Sequence, residues 1–208
     1  IKLFLGKPII AWSIQAAINS KCFDKVIVST DSKKISKIAN KYKAETPFLR
    51  SKKLSSDKIP MLSVIKDSIK QMMKRNYKPD IVCCLFATAP LLDFSIIKKS
   101  LKLITTKNKK FILPVQSYSH PIQRALKINK NNISMLNKKT RNSRTQDLTN
   151  NYHDAGQFYI GKVNSFLKED EIFSKNSFPI FLNKFNTIDI DDIDDWNYAK
   201  KIFKFKKK

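Results

Sequence analysis

The chain has 208 residues, 42% of them hydrophobic, with 41 basic against 17 acidic side chains and a formal net charge of +24. That size and apolar fraction fit one medium α/β domain with its own core, and no run approaches the roughly 20 apolar residues that span a bilayer. The charge invites a nucleic-acid partner, but only Arg50, Arg75, Arg124, Arg141 and Arg144 carry the forked guanidinium that phosphate readers favour, and lysines spread over every segment describe a solvated surface rather than a stripe.

Residues 1–12 lack the basic-then-apolar layout of a signal peptide, so a cytoplasmic location is expected. Pro8 suits a first helical turn, and Ile9, Ile10, Ile14, Ala17 and Ile18 recur at helical spacing. A short strand is expected over residues 25–29. Thr30, Asp31 and Ser32 then supply caps for a helix over 33–43, with Ile35, Ile38, Ala39 and Tyr42 as its stripe. Strand, cap and helix in that order make half of a nucleotide-binding fold.

A second strand is expected over 45–49, then a polar loop over 50–59 and a helix opened by Pro60 and running to about Arg75. Residues 81–86 are apolar without alternation, which predicts a central strand buried on both faces. Cys83 and Cys84 lie inside it, and with Cys22 they give neither a disulfide framework nor a zinc spacing, so all three read as reduced core residues. The run Ala87-Thr88-Ala89-Pro90 stops this strand at its carboxyl end, where open α/β sheets bind ligands, and makes Thr88 a candidate contact.

Further along, the pattern predicts a helix over 95–104, strands over 111–115, 125–128 and 133–136, and a basic loop over 137–151, long enough to suggest function. A strand over 157–161, a short helix, a strand ending at Asp189 and a helix over 194–203 close the chain. Alternating strands and helices predict an α/β fold with a mostly parallel central sheet flanked by helices, in one domain over residues 1–208.

Two stretches can carry chemistry. Five of the 17 carboxylates fall between Asp189 and Asp195. At period two, Asp189 and Asp191 share a face within reach of one hard cation such as Mg²⁺; the alternative is a solvated turn in which Asp192 or Asp194 caps the last helix. The other stretch runs from Arg141 and Arg144 through Gln146 to His153, Asp154 and Gln157. Arg144 and Arg141 suit an anionic ligand, or else pair with Asp147 and Asp154 as a surface loop. His153 is open to a base role or a structural one. No nucleophile-base arrangement emerges.

The run "SRTQDLTNNYHDAGQFYIGK" resembles the sugar-side segment of pseudaminic acid cytidylyltransferases, a branch of the CMP-nonulosonate synthetase family, and "TIDIDDIDDWNYAK" resembles that family's C-terminal metal motif. The opening "GKPIIAWSIQAAINSKCFDKVIVSTDSKKISKIANKYKAE" and "FLRSKKLSSDKIP" continue the likeness over essentially the whole chain. The resemblance implies a GT-A-like Rossmann fold that transfers CMP from CTP to a nine-carbon α-keto sugar acid, with Mg²⁺ as cofactor, as a homodimer serving surface-glycan or flagellin glycosylation. It places Asp189 and Asp191 on the metal, Arg50 and Asp57 near the cytidine, and Arg144 and Gln146 at the sugar acid, with Arg141, His153, Asp154 and Gln157 beside them. Two departures stand out. Phe86 occupies the position where sialic acid enzymes carry an amide, which points to another nonulosonate. The family's Gly-rich triphosphate loop has no counterpart here, where Gly6, Gly156 and Gly161 are the only glycines, so an N-terminally truncated domain is expected. CMP-sialic, CMP-legionaminic and CMP-Kdo synthetases are the near alternatives; an RNA-binding domain and an inactive nucleotide-sugar binder are the distant ones.

Overall fold

The computed structural model describes residues 1–107, 109–169, 171–183 and 187–206. The chain opens with a minimal antiparallel pair, β1 (Leu3–Phe4) and β2 (Lys7–Pro8), which leads directly into α1 (Ile9–Ser20). Phe4 is fully buried and packs edge-on against Trp12, Trp196 and Phe203, so aromatic burial binds the first residues to α6 (Ile193–Lys206) at the other end of the sequence. Next come α2 (Lys33–Lys41), whose N-terminus is capped by the Ser32 hydroxyl accepting from Ile35 N–H, and α3 (Met61–Met73).

A five-stranded sheet forms the centre. It runs β3 (Ile81–Leu85), β8 (Phe158–Lys162), β4 (Phe111–Ser117), β7 (Tyr152–Asp154), with β9 (Ser177–Phe181) pairing β4. Side chains alternate across it. Phe111, Leu113 and Tyr159 face α3 and α5 (Val163–Lys168), where they join Ile65, Ile69 and Phe166; Ile112, Phe158 and Ile160 face the opposite way, toward Ile104 of α4 (Phe94–Thr106) and Ile180. The unpaired cysteines Cys83 and Cys84 likewise divide between the two faces. A separate hairpin, β5 (Leu126–Asn129) with β6 (Asn132–Met135), projects ahead of the basic loop.

The α/β class and the helices agree with the sequence patterns, whereas the strands correct them in four ways. It is mixed rather than mostly parallel: β3–β8, β8–β4 and β4–β7 are antiparallel, and only β4–β9 is parallel. The stretch that reads as a central strand, β3, pairs with β8 alone among the described residues and is only partly buried at each of its five positions. Apolar composition reports what a strand's faces prefer and says nothing of how many neighbours it has. Residues 25–29 and 45–49 are not strands; one parallel bridge, Ile27 to Glu45, joins them through Val28 N–H to Glu45 O and Glu45 N–H to Val26 O, both 2.8 Å. Finally, the last strand among the described residues is β9: of the strand expected to end at Asp189, residues 187–189 are irregular, as are 190 and 191 before α6, and 184–186 lie outside the described residues. No helix among the described residues is long and apolar enough to cross a membrane.

Candidate functional site

The two chemically dense stretches meet in space. β7 ends at Asp154, and the chain turns through Ala155 and Gly156 before β8 starts at Phe158. The segment leading into α6 is fastened against this turn. Thr187 Oγ1 donates to Ala155 O at 3.0 Å, and Gln157 Nε2 donates to Ile188 O at 3.4 Å. Gly156 has φ +58, and a Cβ built on it would lie 2.8 Å from Cγ and Oδ2 of Asp189 and 2.9 Å from Oδ1. The Asp189 carboxylate therefore rests in space that only a glycine leaves open.

Asp189 is also electrostatically loaded. Its pKa is raised, first by desolvation against this turn, then by the charges of Asp191, Asp154 and Asp195. Carboxylates that oppose one another's ionisation are relieved by a divalent cation, and oxygen donors suit a hard one. The neighbouring acids have other work. Asp192 Oδ1 accepts from the N–H groups of Asp194 and Asp195, both at 2.8 Å, while Asp195 Oδ2 accepts from Asp192 N–H at 3.3 Å and Asp191 N–H at 3.1 Å. This reciprocal capping box starts α6. The capping reading of the cluster therefore holds, through Asp192 and Asp195, and the side chains of Asp189 and Asp191 stand outside that box. Among the described residues no three His, Cys, Asp or Glu side chains form a complete metal shell. A cation on this pair would complete its coordination from substrate phosphate and water, as Mg²⁺ commonly does.

The remaining candidates fall into other groupings. Asp154 accepts from Gly156 N–H through Oδ1 at 3.2 Å and from the Tyr159 hydroxyl through Oδ2. Gln157 is fully buried, and its Oε1 has no hydrogen-bond partner. His153 donates from Nδ1 to Asp154 O at 2.8 Å, and its ring lies against Tyr118. Arg144 makes a forked pair with Asp147, Nε to Oδ2 at 2.7 Å and Nη2 to Oδ1 at 3.1 Å, in the exposed loop that also carries Arg141 and Gln146. Arg50 stands apart from these, with Nε on Ser55 Oγ at 3.1 Å and Nη1 on Ser29 O at 3.4 Å, ahead of exposed Asp57. Thr88 lies in the turn after β3.

Some supporting residues escape a reading of the sequence. Arg124 reaches the carbonyls of Arg141 and Ser143, and Gln123 Nε2 reaches Thr149 O at 3.0 Å, so the residues just before the hairpin tie down the basic loop. Tyr159 reads as one more apolar strand position, and only the structure shows where its hydroxyl goes. Gly156 had a legible signal in the Asp-Ala-Gly turn, though not its partner.

A family model described as "Cytidylyltransferase" matches residues 1–208. The pseudaminic acid cytidylyltransferase of Campylobacter jejuni serotype O:2 is 42% identical over 202 residues, covering 97% of this chain and 87% of that protein. The CMP-N,N'-diacetyllegionaminic acid synthase of Legionella pneumophila is 27% identical, covering 97% and 87%. Among solved structures, a CMP:2-keto-3-deoxy-manno-octonic acid synthetase complexed with CTP aligns with a TM-score of 0.67 at 11% identity, over 98% of this chain and 90% of that one. That likeness is one of fold.

Proposed function

The chain belongs to the cytidylyltransferase family, and from that premise we propose that it transfers CMP from CTP to pseudaminic acid, with Mg²⁺ held by Asp189 and Asp191. The observation that carries the reading is the seating of Asp189 against Gly156, because it joins the acidic segment to the "YHDAGQFYIG" segment in one place. The 42% identity to a pseudaminic acid enzyme supports the choice of sugar acid.

In the reaction the anomeric hydroxyl oxygen of the sugar acid attacks the α-phosphorus of CTP. One oxygen–phosphorus bond forms, the bond to the β-phosphate oxygen breaks, pyrophosphate leaves, and the hydroxyl proton passes to solvent. Such transfers depend on positioning and charge neutralisation, so no side chain serves as nucleophile. When bound, the divalent cation supplies charge stabilisation at the reacting phosphate. Asp189 and Asp191 hold it. Arg144 and Arg141 sit on the loop that meets the sugar carboxylate, with Gln146, His153, Asp154 and Gln157 on the sugar side, and Arg50, Asp57 and Thr88 serve the nucleotide.

Phe86 supports a sugar acid other than sialic acid, since it stands where sialic acid enzymes carry an amide. Its ring packs edge-on to Tyr159 at 5.3 Å and offers no amide to an acylamino group. The same reading makes the enzyme a cytoplasmic homodimer whose product feeds surface-glycan or flagellin glycosylation, the dimer being supported by the apolar side chains exposed on the β5–β6 hairpin. The test is pyrophosphate release from CTP with a panel of nonulosonates. Preference for pseudaminic acid is expected, and preference for N-acetylneuraminic, legionaminic or Kdo substrates would overturn the assignment.

A further inference from the structure

A chain of contacts runs from Tyr159 through Asp154 and Gly156 to Asp189. Tyr159 is 6% exposed, and its ring is held edge-on by Phe86 at 5.3 Å and Phe173 at 6.0 Å. Its hydroxyl donates to Asp154 Oδ2. The second oxygen, Oδ1, accepts from Gly156 N–H, so both oxygens of Asp154 are engaged within the chain. Gly156 is in turn the residue whose α-carbon abuts the Asp189 carboxylate.

We infer that Tyr159 is a positioning residue for Asp189, acting through Asp154 and Gly156. The inference rests on the proposal that Asp189 and Asp191 hold a divalent cation. A glycine at positive φ has other conformations open to it, and the Asp154 carboxylate is the side chain that restrains this one. An aspartate fixed at one oxygen still swings about its side-chain torsions, whereas one bonded at both oxygens does not. Partners standing behind a metal ligand in this way set metal affinity, and their loss commonly costs ten- to a hundredfold.

The test is Mn²⁺ binding to the purified protein, followed by electron paramagnetic resonance, alongside the Mg²⁺ dependence of turnover. Tyr159→Phe is expected to weaken Mn²⁺ binding about tenfold and to raise the Mg²⁺ needed for half-maximal rate, with kcat recovered at high Mg²⁺. Asp154→Ala should weaken Mn²⁺ binding by as much, and that binding measurement decides the matter if Tyr159→Phe does not fold. Asp154→Asn keeps an acceptor for Gly156 N–H and an amide facing the tyrosine oxygen, so its Mn²⁺ affinity, read without substrate, should stay within about threefold of wild type if geometry rather than charge is what Asp154 provides to the cation. Wild-type affinity in Tyr159→Phe would overturn the inference. Asp154→Asn as impaired as Asp154→Ala would overturn it too, by making Asp154 a ligand. Failure of the wild-type protein to take up Mn²⁺ would overturn the cation proposal beneath it, and is seen before any variant is made.

Discussion

Gly156 and Asp189 are in contact without a side chain between them: a Cβ on the glycine would stand 2.8 Å from the carboxylate, closer than real Cβ contacts come. Gly156→Ala must therefore push Asp189 aside, and at φ +58 the new residue also pays the left-handed penalty of about 1–2 kcal/mol. The expected result is a folded protein with a modestly lowered Tm and turnover reduced at least about tenfold, since small misplacement at a reacting centre is costly. Unchanged kcat/KM would separate Asp189 from the chemistry.

Asp189 should work against the fold while serving the reaction. Its pKa is raised above the ordinary 3.8 by desolvation and by its carboxylate neighbours. For an acid raised in the folded state, the stabilising contribution is fully present below the unfolded pKa and is lost as pH rises through the folded one. At neutral pH the charged carboxylate is a burden. Asp189→Asn should match wild type in Tm near pH 3.5 and exceed it at pH 7 without added metal, while losing at least about 10²-fold in turnover. Thermal melts across that range check the sign; a variant less stable than wild type at pH 7 would contradict it.

Much of this architecture is legible in the sequence. Ser32 announces its helix, the apolar runs locate β3, β4 and β8, and the acidic run before Trp196 contains the cap of α6. Pairing is what the sequence withholds. Whether β3 lies in the middle of the sheet or at its edge depends on neighbours distant in the chain, and the 25–29 stretch has strand composition but a single bridge. The union of Gly156 with Asp189 was similarly hidden, because a gap of 33 residues carries no periodicity. Local propensity and amphipathic pattern are short-range signals, and the site is built from long-range ones.

Gly161 presents a stability test away from the site. It stands opposite Phe111 in the β4–β8 register, and a Cβ there would meet the Phe111 ring at 2.6 Å and the Phe166 ring at 2.9 Å. Those rings are fully buried and pack edge-on at 5.0 Å, with no room to retreat. Gly161→Ala should cost about 1–3 kcal/mol through overpacking, read as a lower urea midpoint at unchanged slope. Equal midpoints would show that the rings yield.

Arg144 is tied to Asp147 in the absence of substrate, yet its side chain is 72% exposed, and an exposed pair of this kind contributes no more than about 1 kcal/mol. A substrate carboxylate can therefore take over the guanidinium at small cost. Arg144→Ala should raise the sugar-acid KM by tenfold or more with little change in the KM for CTP, and Asp147→Asn should lower the sugar-acid KM slightly by removing the competitor. If both variants leave the sugar KM unchanged, the forked pair is only a surface contact and the anion site lies elsewhere.

The hairpin supplies the test of assembly. Leu126 faces Met135 and Ile128 faces Ile133 in its register, so four apolar side chains line one face, and Leu126, Ile128 and Ile133 are 59%, 70% and 68% exposed. Two strands alone are marginal in water, and a cluster of this kind gains about 1.5–3 kcal/mol for each side chain that becomes fully covered. A second copy of the chain offers a matching apolar face by symmetry. Sedimentation of the wild-type protein should give about twice 24.1 kDa, and Ile128→Asp, which places a charge at the centre of the face, should return the mass to that of one chain at micromolar concentration. Because the hairpin lies outside the sheet, the variant should keep the wild-type far-ultraviolet spectrum. A wild-type protein already monomeric, or an Ile128→Asp variant that remains dimeric, would show that this face does not join the two copies.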